Sequence, residues 1–154
     1  TYQVLWADLD GNQHLKNTRY LDYAAHTRFR FLTEHGFGPK AFAQHKLGPV
    51  VFEDRVAYRK ELRLMDTFTV SVETAGRNER GSRFIMVNRI RDEAGELCAE
   101  VTSMCAWFDL AERKVAAPPP ALFAPALTVL PPPPPAPIIR YSTFAAIYLY
   151  LRGG

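Results

Sequence analysis

One helix-like segment followed by a long run of strand-like ones is the feature that most limits how this chain can fold. Over residues 18–35 the apolar side chains return as Tyr20, Leu21, Tyr23, Ala24, Phe31 and Leu32, with Arg19, Asp22, Arg28 and Arg30 between them. That spacing marks one amphipathic helix. Asn17 is placed to cap its start and Gly36 to close its end. The stretch HGFGPKAF then reads as a glycine-rich exit with a loop or a short helical turn. From Gly48 onward, PVVFEDRVAYRKEL, TFTVSVETAGRNERG, SRFIMVNRIRDEAG and ELCAEVTSMCAWFDL are rich in Val, Thr, Phe and Ile. Turn signals separate them, with Gly81 and Gly95 in the hairpin connections. A short strand at 2–6 opens the chain. The expected order is strand, long helix, then four strands in a meander. An antiparallel sheet has to bury its apolar face, and a single long helix is available to cover it. The expected fold is α+β, an antiparallel sheet of about five strands wrapped around one helix.

Composition narrows the function classes. The 154 residues are 47% hydrophobic, enough for one domain with a real core. The net charge of +3 suits an anionic small molecule or an acidic partner, and is too weak to argue for nucleic acid. Cys98 and Cys105 lie seven apart in one strand, so alternation sends them to opposite faces as reduced thiols rather than a disulfide. No CxxC pair or metal-ligand spacing occurs, and no metal or cofactor is expected. The opening residues do not read as a signal peptide, and a reducing cytoplasm is the expected compartment. Residues 118–120 and 131–135 are all proline, which a sheet interior does not accept. The apolar run 138–151 is too short to span a bilayer, which takes about 20 residues. The expected organisation is one domain over 1–120, with a proline-rich linker and apolar tail over 121–154.

The chemistry concentrates in WADLDGNQHLKNTRYLDY, where a strand hands over to the helix. Asp10, Asn12 and His14 alternate, so in an extended loop all three point the same way. A carboxylate, an amide and an imidazole on one spot suit general-base or nucleophilic chemistry. The helix that follows offers free N–H groups and a dipole favouring negative charge, an oxyanion site for acyl transfer. Singly, Asn17 reads as a cap, His14 as a structural histidine and Asp10 as a turn former. Their joint spacing ahead of a helix carries the functional reading. Tyr20 belongs to the core stripe and can also line a pocket. Arg55, Arg59, Lys60 and Arg63 form a basic run that is either a solvated face or a cradle for an anionic partner.

The pattern DLDxNxHxxNxxY, followed by a long helix and strands, resembles the hotdog-fold acyl thioesterases. DLDGNQHLKN is similar to the motif of the plant-type acyl-acyl-carrier-protein enzymes. The Asp10-to-Tyr20 spacing is similar to that of the 4-hydroxybenzoyl-CoA thioesterase-like group. GPVVFEDRVAYRKELRLMDTFTV and GELCAEVTSMCAWFDLAERK resemble the second-strand and last-strand segments of that group. The resemblance implies a single hotdog unit over about 2–120. It implies hydrolysis of an acyl-CoA or acyl-carrier-protein thioester without metal or redox cofactor, and a homodimer or dimer of dimers to complete the pocket. Asp10 then matches the catalytic carboxylate, as nucleophile or as the base that activates water. Asn12 and His14 match the assisting amide and imidazole, and the backbone N–H of Asn17 matches the oxyanion donor. Tyr20, Arg59 and Lys60 become substrate-binding candidates. Asp8 matches the first Asp of the motif, with a structural role expected on the same side of the strand as Asp10. Two other readings share the fold: a non-catalytic acyl-CoA-binding sensor, and an acyl-thioester dehydratase. Neither a membrane nor a nucleic acid is an expected partner.

Overall fold

The computed structural model describes residues 1–118; the boundary expected at residue 120 and the proline-rich and apolar segments over 121–154 lie outside them. The chain runs β1 (Tyr2–Gln3), a 3-10 turn (Trp6–Asp8), α1 (Asn17–Glu34), α2 (Pro39–His45), β2 (Leu47–Tyr58), β3 (Thr67–Val70), β4 (Glu73–Arg77), β5 (Arg83–Asp92), β6 (Leu97–Asp109) and β7 (Lys114–Val115). The seven strands form one antiparallel sheet, ordered β1-β3-β5-β6-β2, with β4 beside β5 and β7 beside β6. The sheet curls around α1 in the hotdog arrangement.

Four expectations change in detail. The opening strand ends at Gln3, because Trp6–Asp8 turns into a 3-10 helix. TFTVSVETAGRNERG splits into β3 and β4, and β7 is added, so the strand count is seven rather than about five. The strands are not a simple meander: β2 pairs with β6 at the far edge, not with β3. The connection 59–66 carries no tight-turn signal, so nothing holds β2 and β3 together as a hairpin. The tight turns at Gly81 and Gly95 do pair their flanking strands, and Gly95 sits at φ +83°, where L side chains are strained. Cys98 does not follow the alternation either. The β5–β6 register slips between Ile90 and Arg91, and Cys98 and Cys105 are both buried and free.

α1 ends as its sequence demands. Gly36 takes φ +89°, and the N–H of Phe37 donates to the Leu32 carbonyl at 2.7 Å. The buried positions of α1 are Tyr20, Ala24, Arg28 and Leu32, a stripe at every fourth residue. Tyr20 and Ala24 pack with Leu62, Phe68, Ile90 and Val101; Leu32 packs with Phe37, Phe84, Met86 and Trp107. Between these clusters the stripe carries a guanidinium. Arg28 donates to Asn88 Oδ1 at 2.8 Å and to Ser103 Oγ at 2.9 Å, and Ser103 donates to Asp54 Oδ1 at 2.5 Å. Asn88 in turn donates to the Ser71 carbonyl at 2.8 Å. This buried network ties the helix to β5, β6 and β2.

Arg28→Ala leaves Asn88 and Ser103 short of a donor and is expected to cost about 2–4 kcal/mol, read as a lower urea midpoint at unchanged slope. A loss below about 1 kcal/mol would mean that the network is re-satisfied without the guanidinium.

Candidate functional site

The stretch between the 3-10 turn and α1 is a small hairpin rather than an extended loop. The N–H of Lys16 donates to the Asp8 carbonyl at 2.9 Å, Leu9 bridges Leu15, and the N–H of Asp10 donates to the His14 carbonyl at 2.8 Å. The tip turns through Gly11, Asn12 and Gln13, with Gln13 at φ +61°. Asp10 Oδ1 accepts the backbone N–H groups of Asn12 at 2.8 Å and His14 at 3.1 Å. Aspartate bonding its own downstream backbone is what makes the tip turn.

That turn breaks the alternation. Asp10, His14, Leu15, Asn17, Tyr20, Tyr58, Arg59, Lys60 and Glu61 line one cleft of about 330 Å³. Six of the seven candidate residues therefore meet there. The exception is Asn12, which sits exposed at the hairpin tip with its N–H turned back to Asp10. Asn17 is also repositioned. It is the first residue of α1, Lys16 occupies the cap position, and no side chain caps the helix. The start of α1 is thus open at the edge of the cleft. Lys60 lines the cleft too, but its ammonium bonds Asp92 Oδ2 at 2.7 Å and Glu96, which hold its pKa well above the ordinary lysine value. Arg59 forms no ion pair among the described residues.

The electrostatics single out Asp10. The N–H of His14, helped by that of Asn12, holds its carboxyl below the usual aspartate value against the opposing effect of desolvation. It is a carboxylate at neutral pH and bears no salt bridge among the described residues. Tyr20 is buried, which pushes its phenol up to about 12. Tyr58, which the sequence reading missed, packs edge-on to Tyr20 with ring centres 5.3 Å apart and donates its hydroxyl to the Asn17 carbonyl at 3.0 Å. It lies at the end of a strand-like run, and nothing in its spacing distinguishes it from a surface aromatic.

Asp8 is not on the same side as Asp10. The 3-10 turn sends it inward, to 0% exposure. There it accepts Arg19 Nε at 2.7 Å, the Tyr23 hydroxyl at 2.6 Å and the N–H of Leu5 at 3.2 Å. A second Arg19 nitrogen also contacts it. Burial raises its pKa, and the bonds from Tyr23, Arg19 and Leu5 outweigh that, so it too titrates below the ordinary value.

A larger hollow of about 610 Å³ opens beyond the 60–62 segment, lined by Met65, Asp66, Asp92 and Glu93 among others. It holds neither a histidine nor the start of a helix, so the smaller cleft is the better place for acyl chemistry. Among the described residues no group of three or more His, Cys, Asp or Glu is placed to hold a metal ion, and no helix is long and apolar enough to cross a membrane.

The family model for the thioesterase-like superfamily matches residues 4–126. The chain belongs to that superfamily. Solved structures agree on the fold. A Staphylococcus aureus protein solved with bound CoA is 22% identical, covers 79% of this chain and 76% of its own, and superposes with a TM-score of 0.75. YbaW of Escherichia coli, a probable thioesterase, is 26% identical over 75% of this chain and 86% of its own, with a TM-score of 0.68. The 1,4-dihydroxy-2-naphthoyl-CoA thioesterase of Synechocystis is 19% identical over 82% and 91%, with a TM-score of 0.71. No curated protein matches the sequence.

A carbon-13 titration of the Asp10 side chain is expected to give a midpoint below about 3.9, the ordinary aspartate value. A midpoint at or above it would mean that the two backbone N–H donors do not face the carboxylate in solution.

Proposed function

We propose that the chain hydrolyses an acyl thioester to a free carboxylic acid and a thiol, with Asp10 as the reacting carboxylate. The observation that carries this is the pairing, in one cleft, of an ionised, unbridged carboxylate with an uncapped helix start. Membership of the thioesterase-like superfamily supports the reaction class. The CoA bound to the S. aureus neighbour supports acyl-CoA as the first substrate form to try.

The chemistry follows from the parts. The thioester carbonyl oxygen sits against the free N–H groups at the start of α1, Asn17 among them, where the helix dipole favours the negative charge that develops. Asp10 takes a proton from water as the water oxygen bonds to the carbonyl carbon. The tetrahedral intermediate then collapses, the carbon–sulfur bond breaks, and the departing thiolate receives a proton. In the alternative course Asp10 itself attacks, the thiolate leaves, and water cleaves the resulting anhydride. Both courses need the carboxylate ionised. His14 lines the same cleft and is placed to assist proton movement. Tyr20 and Tyr58 supply an aromatic wall for the acyl group. Arg59 supplies a cation for an anionic part of the substrate.

The unit is expected to work as a homodimer or dimer of dimers. β2 pairs only with β6, so its other edge is open among the described residues. That strand exposes Val51 at 46% and Phe52 at 54%. A long open edge with apolar side chains invites a further strand, and a second copy laid along β2 would close the cleft beside Tyr58.

The test is free-thiol release from short, medium, long and aromatic acyl-CoAs, then from acyl-carrier-protein esters, with wild type beside Asp10→Asn. Wild-type turnover that falls by at least about a hundredfold in a folded Asp10→Asn variant supports the proposal. Binding of acyl-CoA with no turnover of any thioester would contradict it and leave a sensor.

A further inference from the structure

We propose that the buried cluster of Asp8, Arg19 and Tyr23 is a positioning device for Asp10: it fixes the limb of the 9–15 hairpin that carries Asp10 against the start of α1. The inference rests on the reading of Asp10 as the reacting carboxylate.

The two limbs of the hairpin are anchored differently. The returning limb is tied outside itself by the Leu15 N–H, which donates to the Leu62 carbonyl at 2.7 Å, and by a bridge from His14 to Arg63. The outgoing limb begins at Asp8. Asp8 reaches α1 through both its side chain and its main chain: the carboxylate holds Arg19 and Tyr23, and the carbonyl holds the Lys16 N–H at the cap position. One residue therefore sets the height of the first two turns of the helix relative to the hairpin. Asp10 stands two residues further on. Its backbone N–H bonds across the hairpin to the His14 carbonyl, and its side chain faces the amides of Asn12 and His14. A rotation of the outgoing limb would change which amides face the carboxylate and how far it stands from Asn17.

The choice of residues also points to geometry rather than stability. A fully buried carboxylate loses its hydration, and an apolar substitute of similar shape is often as stable. What the charged cluster adds is direction. Arg19 approaches through two nitrogens, and Tyr23 is held between Tyr2 and Phe68, with ring centres at 4.9 and 5.0 Å. Asp22 accepts from the far side of Arg19 at 2.8 Å and steadies its orientation. The charged or titratable groups facing Asp10 are His14 and Lys16 from its own hairpin, Tyr20 from α1, and Tyr58, Arg59, Lys60 and Glu61 across the cleft. None of them belongs to the cluster, so a change there reaches Asp10 through the backbone.

The test uses Tyr23→Phe and Arg19→Gln, which keep the helix surface filled, with Asp8→Asn as the strongest perturbation. On an acyl-CoA that wild type turns over, well below the melting temperature of every variant, kcat is expected to fall about tenfold or more while KM changes little. The acid limb of the rate profile is expected to move to higher pH, because Asp10 loses donors that favour its charged form. Lower melting temperatures with unchanged kcat and acid limb would overturn the proposal and make the cluster a stabilising contact only. If wild type hydrolyses no thioester, the proposed function fails on its own account. The positioning claim is then judged by the carbon-13 titration of Asp10: a raised midpoint in Tyr23→Phe and Arg19→Gln upholds it, and a midpoint equal to wild type overturns it.

Discussion

Asp8 is a negative charge without access to water, and the end of the molecule that holds the candidate site is arranged around its neutralisation. Placing a carboxylate there is unfavourable unless donors surround it. Arg19, Tyr23 and the Leu5 N–H supply them from α1 and from the chain just before the 3-10 turn. The same contacts hold Tyr23 in its protonated form, pushed up to about 12 by burial and by the carboxylate it faces. The hairpin, the open helix start and the aromatic pair of Tyr20 and Tyr58 are then brought to one cleft. Asp10 stays outside the cluster, ionised and held by backbone alone, which is the state a base or nucleophile requires.

A second buried cluster does the corresponding work deeper in the fold. Arg28 lies two turns beyond Tyr20 on the same helical stripe and links α1 to β5, β6 and β2 through Asn88, Ser103 and Asp54. Because Asp54 lies on the edge strand, this network fixes how far β2 leans from the helix. β2 ends at Tyr58, in the cleft. The open edge of β2 is therefore connected, through one strand, to the wall of the cleft.

Much of this was legible in the sequence for a simple reason: periodicity survives folding. The 3.6-residue pattern from Tyr20 to Leu32 located α1 to within a residue at each end, and the β-rich segments after Gly48 located β2 to β6. The family resemblance of DLDGNQHLKN pointed to one stretch, and six of the seven candidates named from it line one cleft. What failed depended on local backbone choices that periodicity does not encode. Asn12 left the group because the Asp10 side chain captures its N–H and Gln13 turns left-handed. Asp8 turned inward because Trp6–Asp8 coils into a 3-10 turn. β2 crossed to the far edge because tight turns decide which neighbours pair, and 59–66 carries no hairpin signal that would join β2 to β3. Lys60 found Asp92 and Glu96 across the sheet, a contact far apart in sequence. Arg28 reads as a polar-face residue, and only the partners on β5 and β6 show that it is core.

The central claim is that an acyl thioester lies between Asp10 and the start of α1. Backbone-amide chemical shifts on titration with a non-hydrolysable thioether analogue of an acyl-CoA, bearing its carbonyl in place, test it most directly. The account predicts that the largest shifts fall on Asp10, His14, Asn17 and Thr18, with a second group at Tyr58 and Arg59. Shifts concentrated instead around Met65, Asp66 and Glu93, with the hairpin and the helix start unmoved, would contradict it.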